Sequence, residues 1–231
     1  MDSEALLWDD RPGRRRGPKP LLDRGRVVRA GIELADADGL DALSMQRVAA
    51  RLGAATMALY RHVPGKAELI ALMLDAAIGE PPALPESTGW RTALAAWARA
   101  NRDVFVRHPW TLPLVTNSRT MGPNELAWTE TALRVASTTG LPTAALLDVL
   151  LLVNGYVRGA VVDLAGGPVL PGPETLRRLG LLERYPVLAG VLAQASESEG
   201  PASRAHRFEF GLARVLDGIG QFVRAHRDLS G

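Results

Sequence analysis

The side chains able to do chemistry in this sequence are basic or suited to reading base edges, and they crowd into its first third. Residues 11–66 carry twelve Arg or Lys against five acids, a net +7. Residues 1–10 carry −4 and residues 67–231 carry −1, so the overall +2 conceals one basic block. Such asymmetry points to a polyanion-binding segment joined to a near-neutral domain. Within or beside the block, Gln46 has the donor–acceptor pair that matches adenine N6/N7, and Arg47 can reach a phosphate or a guanine. Thr56 can hydrogen-bond a base edge, and Met57 and Ala58 can contact thymine methyl groups. Arg14, Arg15 and Arg16 lie in RPGRRRGPKP, whose prolines and glycines preclude a packed helix. Beside a DNA-binding domain, an arm of this kind enters a minor groove or lies along phosphates; alone it is a solubilising tail.

Catalytic chemistry finds no comparable set. There is no cysteine, which removes disulfides, thiolate-ligated metals and thiol nucleophiles. The four histidines, His62, His108, His206 and His226, form neither an H-E-x-x-H motif nor an i,i+4 pair. No G-x-S-x-G, G-x-G-x-x-G or kinase motif occurs, and the Gly/Pro-rich stretch 166–174 lacks the phosphate-loop pattern. The expectation is no enzyme, no catalytic residue, no metal site and no cofactor.

The elements that must position the basic block are helical. A hydrophobic share of 47% with 23% charge is globular. Val27, Val28, Ile32, Leu34 and Ala35 give residues 22–38 an apolar face, with Asp23 as N-cap and Gly39 as the stop. Ser44 caps a short helix over 45–52 whose inner face is Val48, Ala49 and Leu52. Gly53 breaks it, and a second short helix over 55–62 follows, plugged by Leu59 and ended by Val63-Pro64-Gly65. Two short helices joined by a glycine turn are a helix-turn-helix pattern, placing Ala54, Thr56, Met57 and Ala58 toward a major groove. A helix from Lys66 to about Ile78 comes next.

SMQRVAARLGAATMALYRHVPGKAELIALML resembles the DNA-binding domain of the TetR family of transcriptional regulators. The resemblance lies in S-x-x-x-V-A-x-x-L-G, in L-Y-x-H at the end of the second short helix and in the K-x-x-L that follows. It spans about residues 22–79, with the motif at 44–63. It implies that Tyr60, His62 and Lys66 hold phosphates, which set register without reading sequence. Tyr60 as a core aromatic with its hydroxyl at the surface, and His62 as a helix-end cap, stay open. From Trp90 onward the chain more loosely resembles the ligand-binding and dimerisation domain of the subgroup nearest the tetracycline repressors. That likeness rests on R-H-P-W, G-Y-x-x-G in a long apolar helix and F-E-F-G-L-x-x-x-L-D-G.

The expected organisation is all-α. A flexible arm (1–21) precedes a three-helix DNA-binding domain (22–79) and a larger helical domain (88–227). In the latter, helices are predicted at 90–106, 124–138, 143–165 and 204–226, with a short bent piece at 110–115 and 196–203 flexible. The 144–165 stretch holds Asp148, Arg158 and Asp163, so it reads as a buried helix, not a membrane span. Gly155 and Gly159 on it, and the apolar stripe of the last helix, suit a dimeric four-helix bundle. Polar and aromatic groups on apolar helices nominate Trp97, Asn101, Trp110, Asn117, Trp128, Asn154 and Arg158 for a small-molecule effector. The alternatives are plain core for the tryptophans and intersubunit contacts for Asn154 and Arg158. MDSEALLWDD has no signal-peptide core, so a cytoplasmic protein is expected. The expected partners are double-stranded palindromic DNA, an effector and a second copy, with no membrane. The reading is a repressor released by its effector; a ligand-dependent activator and an architectural DNA binder without ligand are the alternatives.

Overall fold

A computed structural model describes residues 7–8, 22–85, 87–164, 171–195 and 201–230. The described residues form eleven α-helices and no strand. They are α1 (Arg24–Asp38), α2 (Met45–Leu52), α3 (Thr56–Leu59), α4 (Lys66–Ile78), α5 (Trp90–Arg107) and α6 (Thr111–Val115). Then come α7 (Pro123–Ser137), α8 (Thr143–Leu164), α9 (Pro173–Arg178), α10 (Pro186–Ala195) and α11 (Pro201–Ser230). The chain divides into two compact units, Met1–Leu150 and Leu151–Gly231. Arg14, Arg15 and Arg16 lie outside the described residues.

In the first unit, α1 starts where expected because Asp23 accepts from the Arg26 N–H at 2.8 Å. Gly39 ends it at φ 80, and a 3-10 turn over Leu40–Ala42 carries Leu43 into the core. Val27, Val48, Leu59, Val63, Leu69 and Met73 are fully enclosed and hold α1–α4 together. Truncating one of these leucines to alanine costs about 2–5 kcal/mol. Helices α1 and α4 touch at Gly31, where a Cβ would stand 2.6 Å from Met73 Sδ. Ile32, expected on the inner face, is only partly buried; Ala30 and Gly31 take the inner positions.

Three stretches depart from the sequence reading. Helix α3 is a single turn rather than 55–62, because His62 and Val63 both donate to the Leu59 carbonyl and tighten the chain into a turn. Helices α9 and α10 occupy a stretch to which the sequence pattern assigned no element. Residues 201–203, expected to be flexible, open α11 instead, with Pro201 at its first position, where a missing N–H costs nothing.

In the second unit, α8 meets α11 through Tyr156. Its hydroxyl donates to the Phe208 carbonyl at 2.6 Å, and the two rings lie 5.6 Å apart. Gly211 makes room, since a Cβ there would fall 2.6 Å from the Tyr156 ring. Gly155 and Gly159 have no described residue within 4 Å of a built Cβ, so no close approach is made there among the described residues. Helix α8 is long and apolar enough to cross a membrane by composition, and Ala145, Val149, Val153, Val157 and Val161 are buried along one side of it. The expectation of a buried helix therefore holds for one face: Leu151, Leu152 and Val162 are exposed, as are Phe210 and Phe222 on α11.

Candidate nucleic-acid interface and its coupling

The reading head is built by capping. Ser44 accepts from the Arg47 N–H at 3.2 Å and starts α2. Gly53, at φ 62 and ψ 32, ends it: the Gly53 N–H bonds to Ala50 and the Ala54 N–H to Ala49. This paired pattern satisfies the last carbonyls and needs a left-handed residue, which is why glycine stands there. The turn sends Leu59 inward and Met57 outward, with Met57 75% and Tyr60 41% exposed. Tyr60 thus reaches the surface. Thr56, Ala58 and His62 are half-buried, Gln46 and Lys66 exposed, and Ala54 packs partly against the core.

Two arginines near the head, Arg47 and Arg51, are held by the protein, while Arg61 is exposed. Arg47 donates to Asp38 at 2.5 Å and to the Ala42 carbonyl at 3.1 Å. Arg51 pairs with Glu33 through Nε at 2.9 Å. Lys66 opens α4, and the Glu68 carboxylate folds back over Gly65, 2.7 Å from where a Cβ would stand.

Two polar clamps tie the DNA-binding helices to α5–α7, and neither was foreseen. Asp36 on α1 accepts from Trp110 Nε1 at 2.7 Å, and His108 Nδ1 lies 2.8 Å from the same oxygen. Asp75 on α4 accepts from the Asn124 backbone N–H at 2.9 Å and from its side-chain amide at 3.0 Å. Asp75 therefore caps the start of α7, and Gly122 is required beside it because a Cβ would collide with its carboxylate. Burial raises the Asp75 pKa, the Asn124 N–H opposes this, and the nearby Glu125 charge adds to it. Glu125 is itself held in a two-pronged pair by Arg119, both contacts at 2.6 Å. The sequence clue available for the first clamp was the helix break at His108-Pro109; Asp75 and Asn124, 49 positions apart, offered none.

The effector candidates separate. Trp97 and Trp128 pack edge to face, 5.7 Å between centroids. Trp97 Nε1 donates to the Trp128 carbonyl at 3.1 Å, and Trp128 Nε1 to the Gly79 carbonyl at 2.9 Å. Their N–H groups are thus already used, and Trp128 fixes the end of α4. Trp110 joins the core of the DNA-binding helices. Asn101 is half-buried on α5, and Asn117 is exposed beyond α6. Asn154 and Arg158 share a face of α8 in the second unit, both half-buried. Among the described residues, no three His, Asp or Glu side chains gather as a metal site would require.

Comparison with known proteins agrees with this architecture. Residues 27–73 match the description "Bacterial regulatory proteins, tetR family", and residues 81–223 match "Tetracyclin repressor-like, C-terminal domain". The chain is 40% identical to the HTH-type transcriptional repressor DrrR1 of Streptomyces coeruleorubidus, over 96% of this chain and 86% of that protein. A crystal structure of a possible TetR family transcriptional regulator from Streptomyces coelicolor A3(2) superposes with TM-score 0.71 at 26% identity, covering 87% of this chain and 100% of the other. The Streptomyces coelicolor TetR family protein ActR, in complex with (S)-DNPA, superposes with TM-score 0.68 at 25% identity, covering 87% and 97%. With both parts of its length matched, and helix-turn-helix and clamped helical domain in place, the chain belongs to the TetR family of DNA-binding transcriptional regulators.

Proposed function

We propose that this chain is a homodimeric, cytoplasmic repressor that occupies a palindromic operator and leaves it when a small molecule binds its C-terminal domain. Residues 22–79 form the DNA-binding domain and residues 88–227 the effector-binding and dimerisation domain. Gln46, Thr56, Met57 and Ala58 read bases, Tyr60, His62 and Lys66 hold phosphates, and Arg47 turns its outer edge to the backbone while Asp38 steadies it. The arm residues Arg14, Arg15 and Arg16 add contacts on flanking DNA. The relative DrrR1 is named a repressor, and ActR is seen with a small molecule bound.

The observation that carries the coupling is the pair of clamps. Asp36 and Asp75 join α1 and α4 to α5–α7 by hydrogen bonds within one compact unit. A displacement of those helices by an effector is therefore transmitted to the reading head. A useful switch needs about 1–3 kcal/mol of differential affinity between its two states. Trp97, Trp110 and Trp128 have only ring faces to give an effector, so its polar contacts fall either to Asn101 and Asn117 in the first unit or to Asn154 and Arg158 in the second. The exposed apolar faces of α8 and α11, with glycines open at 155 and 159, support pairing with a second copy. The protein is a regulator without turnover of its own.

The test is selection of bound sites from a random duplex pool with the effector-free protein at near-physiological salt. An enriched palindrome is expected. Sequence-independent binding with a steep salt dependence would mark an architectural protein instead.

A further inference from the structure

From Gly53 to Tyr60 the chain has no charged and no carboxamide side chain. Thr56 and Tyr60 alone carry side-chain hydrogen-bonding groups there. Arg47 and Arg51, the arginines of the preceding helix, are occupied by Asp38, by the Ala42 carbonyl and by Glu33. Bidentate pairing to guanine from either must first break an ion pair. Gln46 on α2 and Arg61 are exposed at its flanks, but what the 53–60 segment itself presents is mainly apolar: Met57 is exposed, Ala55 is exposed beside it, and Ala58 is half-buried. An unbranched thioether adapts to irregular surfaces, and burying it removes apolar area from water. In the major groove, the apolar feature of an unmodified base edge is the 5-methyl group of thymine.

Building on the operator-binding reading above, we propose that the head selects its site through pyrimidine 5-methyl groups, with Met57 as the specificity-determining residue. The alanines at 55 and 58 let the short helix sit close to the groove floor, so that the Met57 side chain reaches a methyl directly.

The experiment uses the full chain and the duplex sites recovered by selection. Each thymine of a recovered half-site is replaced in turn by deoxyuridine, which removes the methyl and leaves pairing and phosphates unchanged. Replacing the thymine that faces Met57 should weaken binding about fourfold in one half-site and about sixteenfold in both. Met57→Ala should bind thymine and deoxyuridine duplexes equally, and Met57→Leu should keep the discrimination. Both variants should melt at the wild-type temperature, since Met57 lies outside the core. A recovered half-site without thymine, or one bound equally well with every thymine replaced, overturns methyl reading while operator binding stands. A deoxyuridine penalty unchanged in Met57→Ala overturns the role of Met57. Recovery of no site at all overturns the operator-binding reading and this inference with it.

Discussion

Trp110 donates its indole N–H to Asp36 over 2.7 Å, across 74 positions of sequence, and so fixes the corner between α5 and α6 to the first helix of the DNA-binding domain. The same carboxylate oxygen lies 2.8 Å from His108 Nδ1. One acidic side chain thus joins the reading head to the helices that follow it.

Asp36→Ala leaves a buried indole N–H and the His108 ring without their acceptor. It should lower stability by about 1–3 kcal/mol in urea titration, and Asp36→Asn, which keeps an acceptor oxygen, should cost less. Asp36→Ala should also weaken any response of DNA affinity to effector.

The second clamp makes a pH prediction. Burial holds the Asp75 carboxyl above its ordinary value of 3.8. A carboxyl whose pKa is raised on folding binds its proton more tightly in the folded chain. Its contribution to stability is full below about pH 3.8 and is lost as pH rises through the folded value. Wild type should therefore lose stability relative to Asp75→Asn as pH rises through that window, measured by urea titration at several pH values. A difference that is flat with pH, or that grows in favour of wild type, contradicts the environment described for Asp75.

Reading and positioning residues should separate in binding assays. Lys66→Ala should weaken binding to all duplexes about equally and flatten the salt dependence by roughly one unit. Gln46→Ala and Thr56→Ala should instead change which sequences are preferred, with costs of about 1–3 kcal/mol at the affected positions.

The two kinds of glycine on α8 and α11 should behave differently. Gly211→Ala drives a methyl into the Tyr156 ring and should destabilise the folded chain by about 1–3 kcal/mol. Gly155→Arg meets open space among the described residues, so it should leave the protomer folded while weakening dimers, read by sedimentation and circular dichroism.

The helix-turn-helix was legible because its signals are local. Ser44 and Gly53 act on neighbours three to five residues away, and the apolar spacing of Val48, Ala49 and Leu59 lies within one short window. The length of α3 was not legible, since two N–H groups sharing the Leu59 carbonyl leave no trace in residue type. Helices α9 and α10 were hidden by the Gly- and Pro-rich residues around them. By residue type the tryptophans are candidate ligand contacts, yet the acceptors for their N–H groups are the Gly79 and Trp128 carbonyls and the Asp36 carboxylate. Partners so distant in sequence are set by tertiary packing, which periodicity cannot report. The exposed stripe of α8 shows the same limit from the other side: an apolar run does not say which of its residues pack within the chain.

The most direct test of a dimeric operator-binding regulator is the mass of its complex on a selected palindrome, measured by sedimentation alongside an isolated half-site. Two protomers per palindrome are expected, with the half-site bound at least tenfold more weakly. One protomer per palindrome, with the half-site bound equally well, would contradict the dimeric regulator.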